Sequence, residues 1–175
     1  LLRDELRRHA GRFLDYVVQG GVLIVQYQAY GYELQSFAPY PFTYSHPHDR
    51  VTSPDGPVTI LEPEHALMTH PNRIGDDDFA GWHHDRGLYF LGEFDERYTP
   101  ILASHDPAEP LKSGGLVVAA HGRGAFVYVG YSLFRQIPAG VPGAFRLLAN
   151  LLALPDALLS VAKPFGDDPL RVAAC

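Results

Sequence analysis

Leu2, Leu6, Phe13, Leu14 and Val17 recur at helical spacing, while Arg3, Arg7, Arg8 and Arg12 fall mainly on the other face. This pattern predicts an amphipathic helix. Gly20-Gly21 then supplies a stop, because glycine enters the left-handed region without a side-chain clash. The continuous apolar run Val22-Leu23-Ile24-Val25-Gln26-Tyr27 predicts a strand covered on both faces. A helix, a glycine stop and a buried strand in succession are the rhythm of an α/β protein.

Past Tyr30 the periodicity fails. Tyr32, Phe37, Pro39, Tyr40, Pro41, Phe42, Tyr44, Pro47 and Pro54 follow neither a period of 3.6 nor of 2, so the segment reads as a long loop, a feature often tied to function or to an interface. Val58-Thr59-Ile60-Leu61 predicts a short strand, and Gly75-Asp76-Asp77-Asp78-Phe79 a helical turn with acids near its N-terminus. Gly87-Leu88-Tyr89-Phe90-Leu91 and Thr99-Pro100-Ile101-Leu102-Ala103-Ser104 read as strands. Two β-type runs, 116–120 and 125–129, flank His121-Gly122-Arg123-Gly124, whose glycines suit a tight hairpin. Pro142 fits the first turn of a helix with Phe145, Leu147, Leu148, Leu151 and Leu152 on a broad apolar face, expected to end near Leu154-Pro155. No linker or repeat divides the 175 residues, which read as one domain, with 156–175 as a peripheral tail.

Composition narrows the class. Twenty Asp and Glu against 14 Lys and Arg give a net charge of −6, and no basic run exists, which disfavours nucleic acid and anionic membranes as partners. No apolar stretch reaches the roughly 20 residues of a membrane span, and the first residues lack the plan of a signal peptide, so a soluble and cytoplasmic chain is expected. The sequence opens on a helix pattern without Met, as expected of a piece of something longer. Cys175 is the single cysteine, so neither an intrachain disulfide nor a thiolate zinc site can form.

Nine histidines invite a metal reading. Ser45-His46-Pro47-His48-Asp49 and His83-His84-Asp85 each group imidazoles with a carboxylate, but neither has the i, i+4 helical spacing of established zinc pairs. His105-Asp106 has the composition of a base and its orienting acid, yet Asp-Pro after a strand is an ordinary turn and no Gly-x-Ser-x-Gly elbow supplies a nucleophile. Asp76-Asp77-Asp78 reads as a solvated helix start, and His121 to Gly124 as a hairpin rather than an anion cradle. A second chemistry comes from aromatic rings interleaved with arginines. Tyr44, Trp82 and Tyr89 with Arg50, Arg86, Arg135 and Gln136 are the residue types that stack on sugars and grip polar or anionic small molecules.

The most distinctive stretch is Phe134-Arg135-Gln136-Ile137-Pro138-Ala139-Gly140-Val141-Pro142-Gly143-Ala144-Phe145-Arg146. Its prolines and glycines crowd a strand-to-helix junction, where ligands bind in open α/β sheets, but supply no reactive group. With the segment 15–27, Arg50-Val51-Thr52, Pro71-Asn72-Arg73-Ile74 and Arg86-Gly87-Leu88-Tyr89-Phe90, it resembles the C-terminal domain of some bacterial deacetylases of the LmbE-like, PIG-L family of N-acetylglucosaminyl de-N-acetylases. That appended domain is similar to the class I glutamine amidotransferase fold.

The resemblance spans about residues 13–154 and implies a flavodoxin-like α/β sheet with flanking helices, a C-terminal β-hairpin and long loops, lacking its first strands. It implies no active site here. The family's zinc motif, Ala-His-Pro-Asp-Asp, belongs to a separate N-terminal domain, and His48 replaces the aspartate after Pro47 in the partial match at 45–49. Amidotransferase chemistry needs a cysteine on a strand-to-helix elbow, and the chain has no internal Cys.

The expected function is therefore a non-catalytic accessory or binding domain for substrate positioning or assembly. It would take an aminosugar or other small polar ligand and no cofactor. Its expected partner is a second copy, through sheet-edge pairing, or an upstream deacetylase domain. One competing expectation is a small metal-dependent hydrolase built on His46, His48, His84 or His105. The other is a carbohydrate-binding module using Tyr44, Trp82 and Tyr89.

Overall fold

The structure, a computed structural model, describes residues 2–26 and 37–161, leaving aside the side chains of residues 2, 3, 45–48 and 156–161. It is a mixed α/β fold: seven described strands form one sheet with helices packed on it. The strands are β1 (Val22–Gln26), β2 (Phe42–Val51), β3 (Val58–Ile60), β4 (Gly87–Phe94), β5 (Tyr98–Ser104), β6 (Lys112–His121) and β7 (Gly124–Val129). The helices are α1 (Leu2–Arg8), α2 (Ala10–Val18), α3 (Ala66–Thr69), α4 (Leu133–Gln136) and α5 (Pro142–Val161), with a 3₁₀ turn at Asp76–Phe79.

β6 is the organising strand. It pairs with β7 from Leu116↔Val129 to His121↔Gly124, with β5 from Tyr98↔Ala119 to Ser104↔Lys112, and meets β4 at Leu91↔Gly114. β3 joins β5, β2 joins β4, and β1 lies parallel to β7 from Val22↔Ala125 to Gln26↔Val129. The other five pairings are antiparallel. The expected hairpin is present, closed by Gly122 at φ +61, and so is the glycine stop, where Gly20 takes φ +110.

Side chains alternate across a strand, and here both faces are covered. Ala125, Val127 and Val129 of β7, Leu116 and Val118 of β6, and Val22 and Ile24 of β1 enter one core with Leu67, Met68, Phe79, Trp82 and Leu133. Ala144, Leu147, Leu151 and Leu154 close that core along one stripe of α5. Phe126 and Tyr128, Val117 and Ala119, and Leu23 and Val25 enter the second, with Ala10, Phe13, Phe37, Phe42, Leu91 and Tyr98.

Three expectations are corrected. The predicted N-terminal helix is two helices, interrupted at His9, whose N–H is shared between Glu5 O and Leu6 O. The long loop contains β2, hidden from sequence by Pro41, Pro47 and the irregular register between Phe42↔Phe94 and Val51↔Gly87, which destroys the period-2 signal. α5 runs through Pro155 to Val161 instead of ending there. The sequence reading also missed α3 and α4, each four residues long and too short to show a period. Residues 27–36 of the expected loop, and the tail beyond 161 with Cys175, lie outside the described residues. No described helix is long and apolar enough to cross a membrane.

The joint between β4, β6 and β7 is built from glycines. A Cβ on Gly87, Gly115 or Gly130 would fall 2.4, 2.6 or 2.8 Å from the ring of Phe90, which is fully buried there against Tyr131. At the β4–β6 contact a Cβ on Gly114 would meet the Leu91 carbonyl oxygen at 1.9 Å, a clash only backbone movement relieves. Gly114→Ala is therefore expected to lower unfolding free energy by about 2–4 kcal/mol in a denaturant titration. Gly11→Ala, in α2 with nothing near its added methyl, is expected to raise it by about 0.5–1 kcal/mol.

Candidate functional site

The glycine joint carries residues 82–87 against residues 130–136. Leu88 N–H donates to Gly130 O, Ser132 N–H to Arg86 O, and Arg86 N–H to Val51 O. Tyr131 drops from the end of β7 into the first core, its hydroxyl 2.6 Å from Ser104 Oγ and its ring edge-on to Trp82. Burial raises the Tyr131 pKa well above the ordinary phenol range, so it stays neutral.

Gln136 locks the two segments together. It is fully buried, and its amide acts as a strand partner to segment 82–87: Oε1 accepts His83 N–H at 2.6 Å and Nε2 donates to His83 O at 2.9 Å and Asp85 O at 3.2 Å. Ser132, one helical turn earlier, receives a third Nε2 bond at 3.0 Å and donates to Asp85 O at 2.7 Å. His84, within this clamped segment, takes φ +76, a conformation a non-glycine residue adopts at a cost.

Charge collects at the same place. Asp85 is 5% exposed; its Oδ2 stands 3.0 Å from Arg135 Nε, an ion pair without hydrogen-bond alignment, and 3.4 Å from His84 Nδ1. Its Oδ1 is buried with no hydrogen-bond partner among the described residues. Arg86, also 5% exposed, donates from Nε to Gly56 O at 2.7 Å and from Nη1 to Phe79 O, and its guanidinium lies 5.4 Å from the Trp82 ring centre. Burial lowers the Arg86 pKa, against the opposing influence of Tyr131 and Asp55.

Four of the seven candidate ligand residues, Trp82, Arg86, Arg135 and Gln136, thus share one site, with two differences from the expectation. Trp82 is no open stacking platform: it is buried, with Nε1 donating to Asp78 O at 3.0 Å. Gln136 has its amide committed to the protein itself.

The remaining three lie elsewhere. Tyr44 packs on the opposite sheet face, where burial pushes its hydroxyl up to about 12 against the lowering influence of Tyr128. Tyr89, half-buried at φ +55, offers its carbonyl to the Tyr128 hydroxyl. Arg50 lines a separate cleft of about 550 Å³ with Asp49, Thr52, Asp106, Glu109, Pro110 and Lys112.

Of the candidate metal ligands, the side chains of His46 and His48 lie outside the described residues. His84 is exposed beside Asp85, and His105 Nδ1 lies 2.9 Å from Asp106 O. No group of three potential ligands occurs among the described residues. Asp106 does not face the His105 ring with its carboxylate, which instead receives Thr52 N–H, Thr52 Oγ–H and Ser53 N–H at 2.7–2.8 Å. Arg123 of the hairpin donates to Gln19 O, so it is a tie to α2 rather than part of an anion cradle.

Sequence reading missed Ser132 and Asn150. Ser132 precedes Gln136 by four residues, a helical-face signal visible only once α4 is known. Asn150, fully buried on α5, accepts from Asn72 N–H and donates to Leu67 O and Asn72 O. No family model, no curated protein and no solved structure matches the chain.

Gln136→Ala is expected to cost about 2–4 kcal/mol, because it opens a cavity where the fully buried side chain stood and leaves the His83 N–H without its acceptor, and to raise amide exchange at His83. Asp106 predicts a pH effect. Partial burial pushes its pKa up, but the three donors from Ser53 and Thr52 and the charge of Lys112 hold it below the usual carboxylate value. A depressed folded pKa gives stability that is present above the unfolded value, near 3.9, and lost as pH falls through the folded one. Asp106→Asn should therefore flatten the acid limb of a Tm-against-pH curve and leave the slope near neutrality unchanged.

Proposed function

We propose that the chain is a non-catalytic binding domain of the kind appended to PIG-L-type deacetylases, holding a small polar ligand, such as an aminosugar, for substrate positioning. The observation that carries this reading is the way the separate stretches of the resemblance lock into one another. Arg86 N–H pairs with Val51 O, Arg146 pairs with Asp78 at 2.7 Å and donates to Arg73 O, and Asn72 is held by Asn150. Those stretches form a scaffold, and the two buried serines beside it are committed to the protein itself. Ser132 Oγ donates to backbone carbonyls, and Ser104 Oγ is bonded to the Tyr131 hydroxyl, neither hydrogen-bonded to an imidazole among the described residues.

The finer fold reading, a flavodoxin-like sheet of amidotransferase type, is supported by the parallel β1–β7 pair and by helices on both faces. The five antiparallel pairings depart from a doubly wound sheet. A second copy, or a strand of an upstream deacetylase domain, is the partner this reading expects at an edge of the sheet.

Titration with glucosamine and N-acetylglucosamine, followed by amide chemical shifts, is expected to move resonances around residues 82–87 and 132–136 without amide, ester or acetyl hydrolysis. Turnover abolished by a single substitution such as Asp85→Asn would overturn the reading.

A further inference from the structure

We infer that Arg86 forms the floor of a small anion-binding cleft, and that the ligand of this domain is held there by a carboxylate or a phosphate group. The inference rests on the binding-domain reading and names the chemical handle by which a ligand is gripped.

The cleft has a volume of about 300 Å³ and is lined by Pro57, Val58, Asp76, Phe79, Ala80 and Arg86. Four of its six walls are apolar, which weakens competition from water and strengthens any charge interaction within. Arg86 is the cation of that setting, with Asp76 the other charged residue of the lining. A buried arginine is ordinarily paired with a carboxylate, since an uncompensated buried charge is costly. Even the more exposed Arg73, Arg97, Arg135 and Arg146 each stand beside a carboxylate, of Glu64, Asp95, Asp85 and Asp78. Arg86 does not. Its two hydrogen bonds go to neutral carbonyls, of Gly56 and Phe79, and Asp55 acts on it only through space.

The remaining donors have the right form for an oxyanion. A guanidinium has five N–H groups in a rigid fork. With Nε and Nη1 each donating to a carbonyl, Nη2 has no acceptor among the described residues. The two carbonyl bonds and the Trp82 ring at 5.4 Å fix the plane of the fork before any ligand arrives, so little side-chain freedom is lost on binding. Asp76, exposed at the rim, sets a condition on the rest of the ligand: it repels a second negative charge and favours a neutral or cationic group beside the anionic one.

The test is a titration of the purified protein with sodium acetate and with inorganic phosphate at ionic strength held constant by chloride. The readouts are the emission of Trp82, the chain's single tryptophan, and the NMR signal of the Arg86 Nε–H. Saturable changes with Kd in the range of about 1–10 mM are expected, the strength of one desolvated ion pair. Response to phosphate alone assigns the site to a phosphorylated ligand, and response to acetate alone to a carboxylic acid. Asp76→Asn should tighten binding severalfold. Ala80→Glu, which places a carboxylate at the exposed mouth without touching the core, should abolish the response with Tm retained. Arg86→Lys, where it folds, should weaken it by losing the fork.

No saturable response to either anion up to about 50 mM, or an undiminished response in Ala80→Glu, overturns the anion site. Aminosugar binding without an anion response would remove this inference and leave the binding reading standing. Anion binding accompanied by hydrolysis would do the reverse.

Discussion

The packing of one phenylalanine ring against three glycines holds the rest of the structure in place. Phe90 fills the space that side chains on Gly87, Gly115 and Gly130 would occupy, and each glycine belongs to or adjoins a different strand of the sheet. Backbones of β4, β6 and β7 therefore approach one another around a single ring, at a separation that any Cβ would forbid. Burial of that ring contributes about 2–3 kcal/mol by area. Its larger consequence is topological: the chain entering β4 and the chain leaving β7 are brought side by side, and Tyr131 and Ser132 have no other reason to meet Asp85 and Arg86.

Once those segments adjoin, their backbone groups must be satisfied away from water, and irregular chain cannot do this for itself. Gln136 and Ser132 solve the problem from α4, with an amide and a hydroxyl acting as the missing strand. That solution explains why a four-residue helix, too short to be stable alone, is ordered: it is held by its side chains rather than by its own hydrogen bonds. It also leaves an asymmetry. Every carbonyl named in the lock has a donor, whereas among the described residues Asp85 Oδ1 has no hydrogen-bond partner and Arg86 Nη2 no acceptor.

The sequence made the regular parts of this architecture legible for a physical reason. β1, β6 and β7 are covered on both faces, so their central positions are apolar, and a run such as Val22 to Val25 cannot be mistaken for loop. The hairpin at Gly122 and the helix starting at Pro142 announce themselves through residues whose backbone freedom is restricted or extended. β2 escaped because its pairing with β4 shifts register between Phe42, Tyr44, Asp49 and Val51, and a strand that slips loses its alternation. Trp82 and Arg86 are legible as candidate residues but not in role. Stacking residues look alike in sequence whether a ring faces solvent or, as with Trp82, lies edge-on to Tyr131 inside the core.

That ambiguity bears on what a family-like signature can say about function. Arg135, Gln136, Asn72, Arg146 and Val51 belong to the stretches that carry the resemblance, and each makes a bond that holds one segment to another. A pattern made of such residues reports a fold, because each of them ties one segment to another, and a ligand could be changed without disturbing those ties. Functional information must then lie in what the scaffold leaves unused. Arg86 stands at that boundary: its backbone N–H and two of its guanidinium nitrogens are bound into the scaffold, while its charge is not balanced by it. A cation bound at such cost by neutral carbonyls is what a site looks like when its counter-charge arrives with the ligand.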